Sequence, residues 1–90
     1  MKRFVIERDL PGIGGSSNED LAGATATSNS ALAQLAPRVQ WEHSYVTGNK
    51  TFCIYLAEDE AAIHEHARIS GFPATTITEV TTIIDPTTGS

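Results

Sequence analysis

The sequence predicts one α+β domain whose elements follow the order β-α-β-β-α-β. Three observations support this prediction. The 90 residues are the length of a single domain. Apolar positions recur with helical spacing in two segments and alternate, as in strands, in the others. Gly- and Pro-containing breakers separate these segments. Hydrophobic residues make up 40% of the chain and charged residues 19%, which is the composition of a globular protein.

The first strand is predicted over residues 2–9, where a β-favouring Phe-Val-Ile run lies between charged residues. A Gly- and Pro-rich loop follows at 11–17. It lacks the Lys-Ser/Thr of a phosphate-binding loop, so it is interpreted as a turn.

The first helix follows this loop. Its capping box is predicted to be Ser16 with Glu19, or Ser17 with Asp20. Its buried stripe is predicted to comprise Leu21, Ala24, Thr25, Ser28, Leu32 and Leu35. Pro37 should end it.

The second half of the chain predicts a hairpin, a helix and a last strand. Residues 39–47 and 50–57 alternate as strands and flank a Gly48-Asn49 turn. A second helix is predicted over 58–70, with Gly71 in the left-handed conformation after it. The Thr-, Val- and Ile-rich segment 76–85 is the last strand. This order is the ferredoxin-like pattern, a four-stranded antiparallel sheet with both helices on one face.

Strand alternation suggests which side chains meet the helices. Phe52, Ile54 and Leu56 are the most uniformly apolar set, so they are expected to face the helices together with Phe4 and Ile6. The uncovered face is then expected to carry Val5, Glu7, Thr51, Cys53 and Tyr55.

The second strand allows two orientations. A two-residue turn pairs Thr47 with Lys50 and places Tyr45 opposite Phe52 and Ser44 opposite Cys53. Directly paired side chains share a face, so Trp41, His43 and Tyr45 would then join the core. A bulge or a three-residue loop reverses this arrangement, and the orientation of His43 depends on the choice.

An uncovered face with this apolar content predicts a partner. The usual solution for this fold is face-to-face pairing of two copies, and we therefore expect a homodimer in the form of a dimeric α+β barrel.

Composition excludes several classes of partner. Six basic and eleven acidic residues give a net charge of −5, which argues against nucleic acid and anionic membranes. No apolar run is long enough to span a bilayer, and acidic residues come too early for a signal peptide, so a cytoplasmic location is expected. The single cysteine, Cys53, excludes an internal disulfide and a CxxC site.

The histidines of the second helix differ in position. His64 and His66 are two residues apart and cannot chelate one ion from one helix face. Helical geometry directs His66 inward or to the rim of the core, and His64 to solvent. Residues able to ligate a metal are spread over the chain: Glu7, Glu42, His43, Cys53, His66 and Asp85. Their imidazole and thiolate groups would suit nickel, copper or zinc.

Several strings together resemble a known family. They are Val5-Ile6-Glu7-Arg8, Trp41-Glu42-His43-Ser44-Tyr45-Val46, Lys50-Thr51-Phe52-Cys53-Ile54-Tyr55, Glu65-His66-Ala67, Gly71-Phe72-Pro73-Ala74 and Ile84-Asp85-Pro86-Thr87. From about residue 3 to 88, the chain resembles a family of small bacterial nickel-binding-protein-like domains, formerly of unknown function. The resemblance implies a ferredoxin-like fold, a dimer and nickel binding. For the metal we select His66 and His43, followed by Cys53 and Glu7.

Two other functions stay open. The first is a dimeric α+β barrel enzyme, similar to a monooxygenase or an isomerase, acting on a small organic molecule between sheet and helices. It predicts a closed pocket of roughly 300 Å³ or more. The second is a ligand-sensing or accessory domain without chemistry of its own.

Overall fold

The strands and helices follow the predicted order. A computed structural model describes residues 1–89. Its main elements are β1 (Lys2–Asp9), α1 (Asn18–Leu35), β2 (Val39–Val46), β3 (Lys50–Ala57), α2 (Glu60–Ser70) and β4 (Thr76–Val80). The sheet order is β2-β3-β1-β4, and every neighbouring pair is antiparallel. The ferredoxin-like α+β fold is therefore confirmed.

Local signals in the sequence place the helix ends well. Ser17 and Asp20 form the capping box of α1, the second of the two predicted pairs. Asp59 caps α2, which begins at Glu60 rather than at residue 58. Gly71 follows α2 with φ of 79°, the left-handed conformation that glycine adopts without steric cost.

The last strand is shorter than predicted. β4 ends at Val80 instead of residue 85, although residues 81–85 remain rich in Thr and Ile. Its register with β1 runs from Thr76 opposite Glu7 to Val80 opposite Arg3. Because β1 itself begins at Lys2, almost no partner remains beyond Val80. Ile83 and Ile84 consequently lie exposed after the strand.

The face assignment of β3 is wrong. Thr51, Cys53 and Tyr55 were expected on the uncovered face, but they are buried on the side of the helices. The register explains this result, because Phe4 pairs with Tyr55 and Ile6 pairs with Cys53, and directly paired side chains share a face. Phe4 and Ile6 are buried beneath the helices as expected.

The face of the sheet that points away from the helices carries the more apolar of the two sets of alternating β3 side chains. We call it the open face. Its members are Arg3, Val5, Glu7, Gln40, His43, Tyr45, Phe52, Ile54, Leu56, Thr76, Thr78 and Val80. Neither helix packs on it, because the buried residues of both helices belong to the core on the opposite side. Phe52, Ile54 and Leu56, which were expected to meet the helices, stay partly exposed here.

A β-bulge resolves the orientation of β2. Tyr45 pairs with Phe52 and Ser44 with Cys53, as the two-residue turn predicts. The register then shifts between Trp41 and His43, so that Trp41 pairs with Tyr55. Trp41 therefore packs against the core, whereas His43 and Tyr45 lie on the open face. Within residues 1–89, no helix is long and apolar enough to cross a membrane.

Candidate functional site

The sheet separates the four proposed metal ligands into two pairs. His66 and Cys53 lie on the helix side, and both are buried. His43 and Glu7 lie on the open face, where His43 is exposed and Glu7 partly so. One ion cannot contact both pairs, because the sheet backbone lies between them.

On the helix side, His66 belongs to a small buried polar cluster. Its Nε2 lies 3.1 Å from the Oγ of Ser28 on α1, and that Oγ lies 3.4 Å from the hydroxyl of Tyr55. The rings of Tyr55 and His66 are tilted against each other, with centroids 5.2 Å apart. The Nδ1 of His66 is buried without a hydrogen-bond partner in the described structure. The helical spacing correctly predicts that His66 points inward and that His64 is exposed.

The surroundings of this cluster hold its members neutral. Burial, reinforced by the nearby Arg8 guanidinium, lowers the pKa of His66 from 6.5 to about 4. Burial also raises the pKa of Tyr55. His66 is therefore uncharged near neutral pH and Tyr55 keeps its proton.

Arg8 is the charged member of this interior. It is only 3% exposed, and its Nη1 donates to the carbonyls of Pro73 at 2.9 Å and Phe72 at 3.4 Å. Its guanidinium carbon lies 5.9 Å from the centre of the Tyr55 ring. Its Nη2 is buried and has no hydrogen-bond partner among the described residues.

Sequence reasoning did not single out Arg8, although a signal was available. The strand alternation that places Phe4 and Ile6 inside also places Arg8 inside, two residues further on. A charged residue in that series indicates either a buried partner or a binding role.

A pocket of about 210 Å³ opens between α1 and the helix side of the sheet, and it is partly open to solvent. We call it the Arg8 pocket. Its walls include Arg8, Ser28, Trp41, Cys53 and Tyr55, and its rim includes Leu10 and Ile13 of the loop after β1. It is smaller and more open than the closed pocket of roughly 300 Å³ that the enzyme alternative predicts, so it lends that alternative no support.

The Gly-rich loop beside this pocket is fixed against the β2–β3 hairpin. The amide of Gly14 donates to the carbonyl of Gly48 at 3.0 Å. A Cβ at position 14 would lie 2.6 Å from the carbonyl oxygen of Thr47, so only glycine fits without a shift. The loop is thus a packed turn beside the pocket.

On the open face, His43 contacts Tyr45. Its Nε2 lies 3.2 Å from the hydroxyl of Tyr45, and the two rings meet edge to face. Glu7 pairs with Lys50 at 3.5 Å. Since β3 lies between β1 and β2, Glu7 and His43 belong to strands roughly 10 Å apart.

The remaining candidate ligands are engaged elsewhere. Glu42 pairs with Arg3 at 2.8 Å, and Asp85 accepts hydrogen bonds from Thr87 within its own turn. Across residues 1–89, no group of three or more His, Cys, Asp or Glu residues is arranged to hold a metal ion. The described residues of one chain therefore offer isolated imidazole and carboxylate donors that are not grouped into a complete metal site.

Comparison with known proteins agrees with the sequence resemblance. The family described as "Nickel responsive protein SCO4226-like" matches residues 4–80. A solved structure, the crystal structure of SCO4226 from Streptomyces coelicolor A3(2), matches with a TM-score of 0.76. The match covers 91% of this chain and 99% of that chain at 17% identity, and it shows a shared fold. No curated protein matches.

Proposed function

This chain belongs to the SCO4226-like family of nickel-responsive proteins, and from that premise we propose that it binds Ni²⁺ at a site shared by two copies. The observation that carries the proposal is the placement of His43, an exposed imidazole beside the apolar centre of a sheet face that neither helix of residues 1–89 covers. Imidazole is a suitable ligand for nickel.

The incomplete donor set of one chain supports a shared site. His66 and Cys53 are buried on the helix side, and Nε2 of His66 already meets Ser28. They are therefore left out of the proposed site. Because His43 and Glu7 of one chain belong to strands roughly 10 Å apart, His43 would hold the metal together with the carboxylate of Glu7 from the second copy.

The apolar character of the open face supports the second copy as its cover. Val5, Phe52, Ile54 and Leu56 lie on one continuous surface across β1 and β3. Tyr45 extends that surface onto β2 and is 59% exposed. A two-fold dimer would place this surface against an identical one and remove it from water.

Calorimetric titration with NiCl₂ tests the metal site. Removing a direct ligand should cost at least as much as removing an outer partner, so His43→Ala should weaken nickel binding by more than about tenfold. His64→Ala is the matched control, because His64 is exposed on the outer side of α2. Equal nickel affinities in the two variants would contradict the proposal.

A further inference from the structure

We propose that the Arg8 pocket binds a small organic molecule with an apolar body and a single carboxylate group. This inference concerns the opposite side of the sheet from His43 and is independent of the proposed nickel site. It rests on a buried cation without a carboxylate partner, on the charge of the pocket lining, and on the pocket's shape.

Arg8 differs from every other basic residue of the chain. The sequence contains six Lys and Arg residues in total. Five of them pair with carboxylates: Lys2 with Glu79, Arg3 with Glu42, Arg38 with Glu58, Lys50 with Glu7 and Asp9, and Arg68 with Glu65. Arg8, the buried one, pairs with no carboxylate in the described part of the chain.

This arrangement leaves a buried charge uncompensated. The Nη1 of Arg8 reaches two neutral carbonyls, whereas its Nη2 is buried without a hydrogen-bond partner within residues 1–89. Burying an unpaired cation is costly, and acceptors on one side compensate only part of that cost. A carboxylate from outside the chain supplies both the missing charge and the missing acceptor.

The pocket lining selects for an anion. Among residues 1–89, Arg8 is the only charged residue in the pocket walls, and no acidic side chain from this range lines the pocket. The other polar groups are neutral hydroxyls, such as those of Ser28, Ser44 and Tyr55, which can donate to a carboxylate. One guanidinium with one free nitrogen matches a single carboxylate better than a dianion.

The volume of the Arg8 pocket and the shape of its walls indicate what the rest of the ligand should be. The pocket of about 210 Å³ is smaller than the roughly 300–1,000 Å³ of drug-sized sites, so a small molecule is expected. Trp41 and Tyr55 both line the pocket, and their ring centroids lie 6.4 Å apart with an interplanar angle of 19°. These flat apolar surfaces suit an aromatic body, and benzoate is the simplest probe that combines such a body with one carboxylate.

Trp41 provides a direct readout of binding. It is the only tryptophan in the chain and forms part of the pocket wall. Its fluorescence would be followed during titration with benzoate, with the neutral analogue benzamide, and with inorganic phosphate. Saturation-transfer NMR on the ring protons of benzoate and benzamide would detect binding that leaves the Trp41 emission unchanged, and loss of the benzoate signal on adding phosphate would report competition.

We expect benzoate to saturate the protein with an affinity at least about tenfold higher than that of benzamide, because only the anion makes a charge-assisted hydrogen bond with Arg8. Phosphate should bind more weakly than benzoate, since it lacks the apolar body. Equal binding of benzoate and benzamide, tighter binding of phosphate, or no binding of benzoate would each overturn the proposal.

Two variants locate the site. Arg8→Gln removes the charge and should lower benzoate affinity by at least about tenfold. Because it also disturbs the bonds to Phe72 and Pro73, Ala24→Leu offers a second test, in which a larger side chain fills the pocket from α1 and leaves Arg8 in place. Ala22→Leu is the matched control on the exposed side of α1.

The expected pattern is loss of benzoate binding in Ala24→Leu and retention in both Ala22→Leu and His43→Ala. Native affinity in a folded Ala24→Leu variant would contradict the assignment of this pocket. Retention in His43→Ala separates this test from the nickel titration, because the two sites use residues on opposite sides of the sheet.

Discussion

The Oγ of Ser28 lies 3.1 Å from Nε2 of His66, and this contact joins α1 to α2 inside the core. The same Ser28 Oγ lies 3.4 Å from the hydroxyl of Tyr55 on β3. One small side chain thereby connects both helices to the sheet through polar contacts that are shielded from water. Buried networks of this kind are sensitive to the loss of any member.

Replacing Ser28 with alanine should destabilise the fold. The substitution removes the partner of His66 Nε2 and a partner of the Tyr55 hydroxyl, and buried polar groups left unsatisfied cost about 1–3 kcal/mol. Urea denaturation would measure the change in the free energy of unfolding. Ser30→Ala, at an exposed position on the same helix, is the control and should have almost no effect. Equal stabilities of the two variants would show that the Ser28 contacts contribute nothing.

Stability should fall as the pH is lowered from 6.5 towards 4. Burial and the nearby Arg8 hold the pKa of His66 at about 4 in the folded protein, whereas an imidazole in the unfolded chain titrates near 6.5. As the pH falls below 6.5, the imidazole of position 66 is protonated in the unfolded chain before it is protonated in the folded protein. The free energy of unfolding therefore decreases between pH 6.5 and pH 4. Between pH 7 and pH 5 the contribution of His66 amounts to about 2 kcal/mol.

Urea denaturation of His66→Gln at the same two pH values checks this prediction. The variant has no imidazole at position 66, so the part of the pH dependence that comes from His66 should disappear. His64→Gln is exposed and should keep the native pH dependence. A pH dependence in His66→Gln as steep as in the native protein would refute the assignment to His66.

Gly14→Ala should destabilise the protein by about 1–3 kcal/mol, the usual range for an inserted group without space. The new Cβ would lie 2.6 Å from the carbonyl oxygen of Thr47, and backbone on both sides would have to move. At the neighbouring Gly15 a Cβ meets no atom within 4 Å, so Gly15→Ala should be close to neutral. Thermal unfolding of the two variants would test the close approach, and a Gly14→Ala variant as stable as Gly15→Ala would exclude it.

A charge in the centre of the open face should prevent the proposed pairing of two copies. Ile54 lies on β3 between Val5 and His43, so Ile54→Glu would place a carboxylate in the middle of the shared surface. Sedimentation velocity should show a dimer for the native protein and a folded monomer for Ile54→Glu. Ala61→Glu, at an exposed position of α2, should remain dimeric. A dimer that persists in Ile54→Glu would place the interface elsewhere.

The element order was predictable because its signals are local. The capping pair Ser17–Asp20, the left-handed Gly71 and the two-residue turn at Gly48-Asn49 each act within a few residues. The faces of the strands were harder to predict, since they depend on pairing between distant strands. The hydrophobicity of Phe52, Ile54 and Leu56 suggested a core position, yet the register with β1 places them on the open face.

The candidate site was predictable only in part for the same reason. The helical period directs His66 inward, but nothing local predicts that its partner is Ser28, which lies 38 positions earlier. The bulge between Trp41 and His43 decides on which side of the sheet His43 lies, and the sequence allowed both outcomes. The alternation of β1 places Arg8 inside, but only the structure shows that it has no carboxylate partner within residues 1–89.

Size-exclusion chromatography with added NiCl₂, with nickel measured in each fraction, would test the central claim most directly. The account predicts that nickel travels with a species of twice the 9.6 kDa chain mass, and that His43→Ala removes the metal from that species. A site shared by two copies would be contradicted if nickel travelled with the single chain. It would also be contradicted if the His43→Ala protein bound an equal amount of nickel.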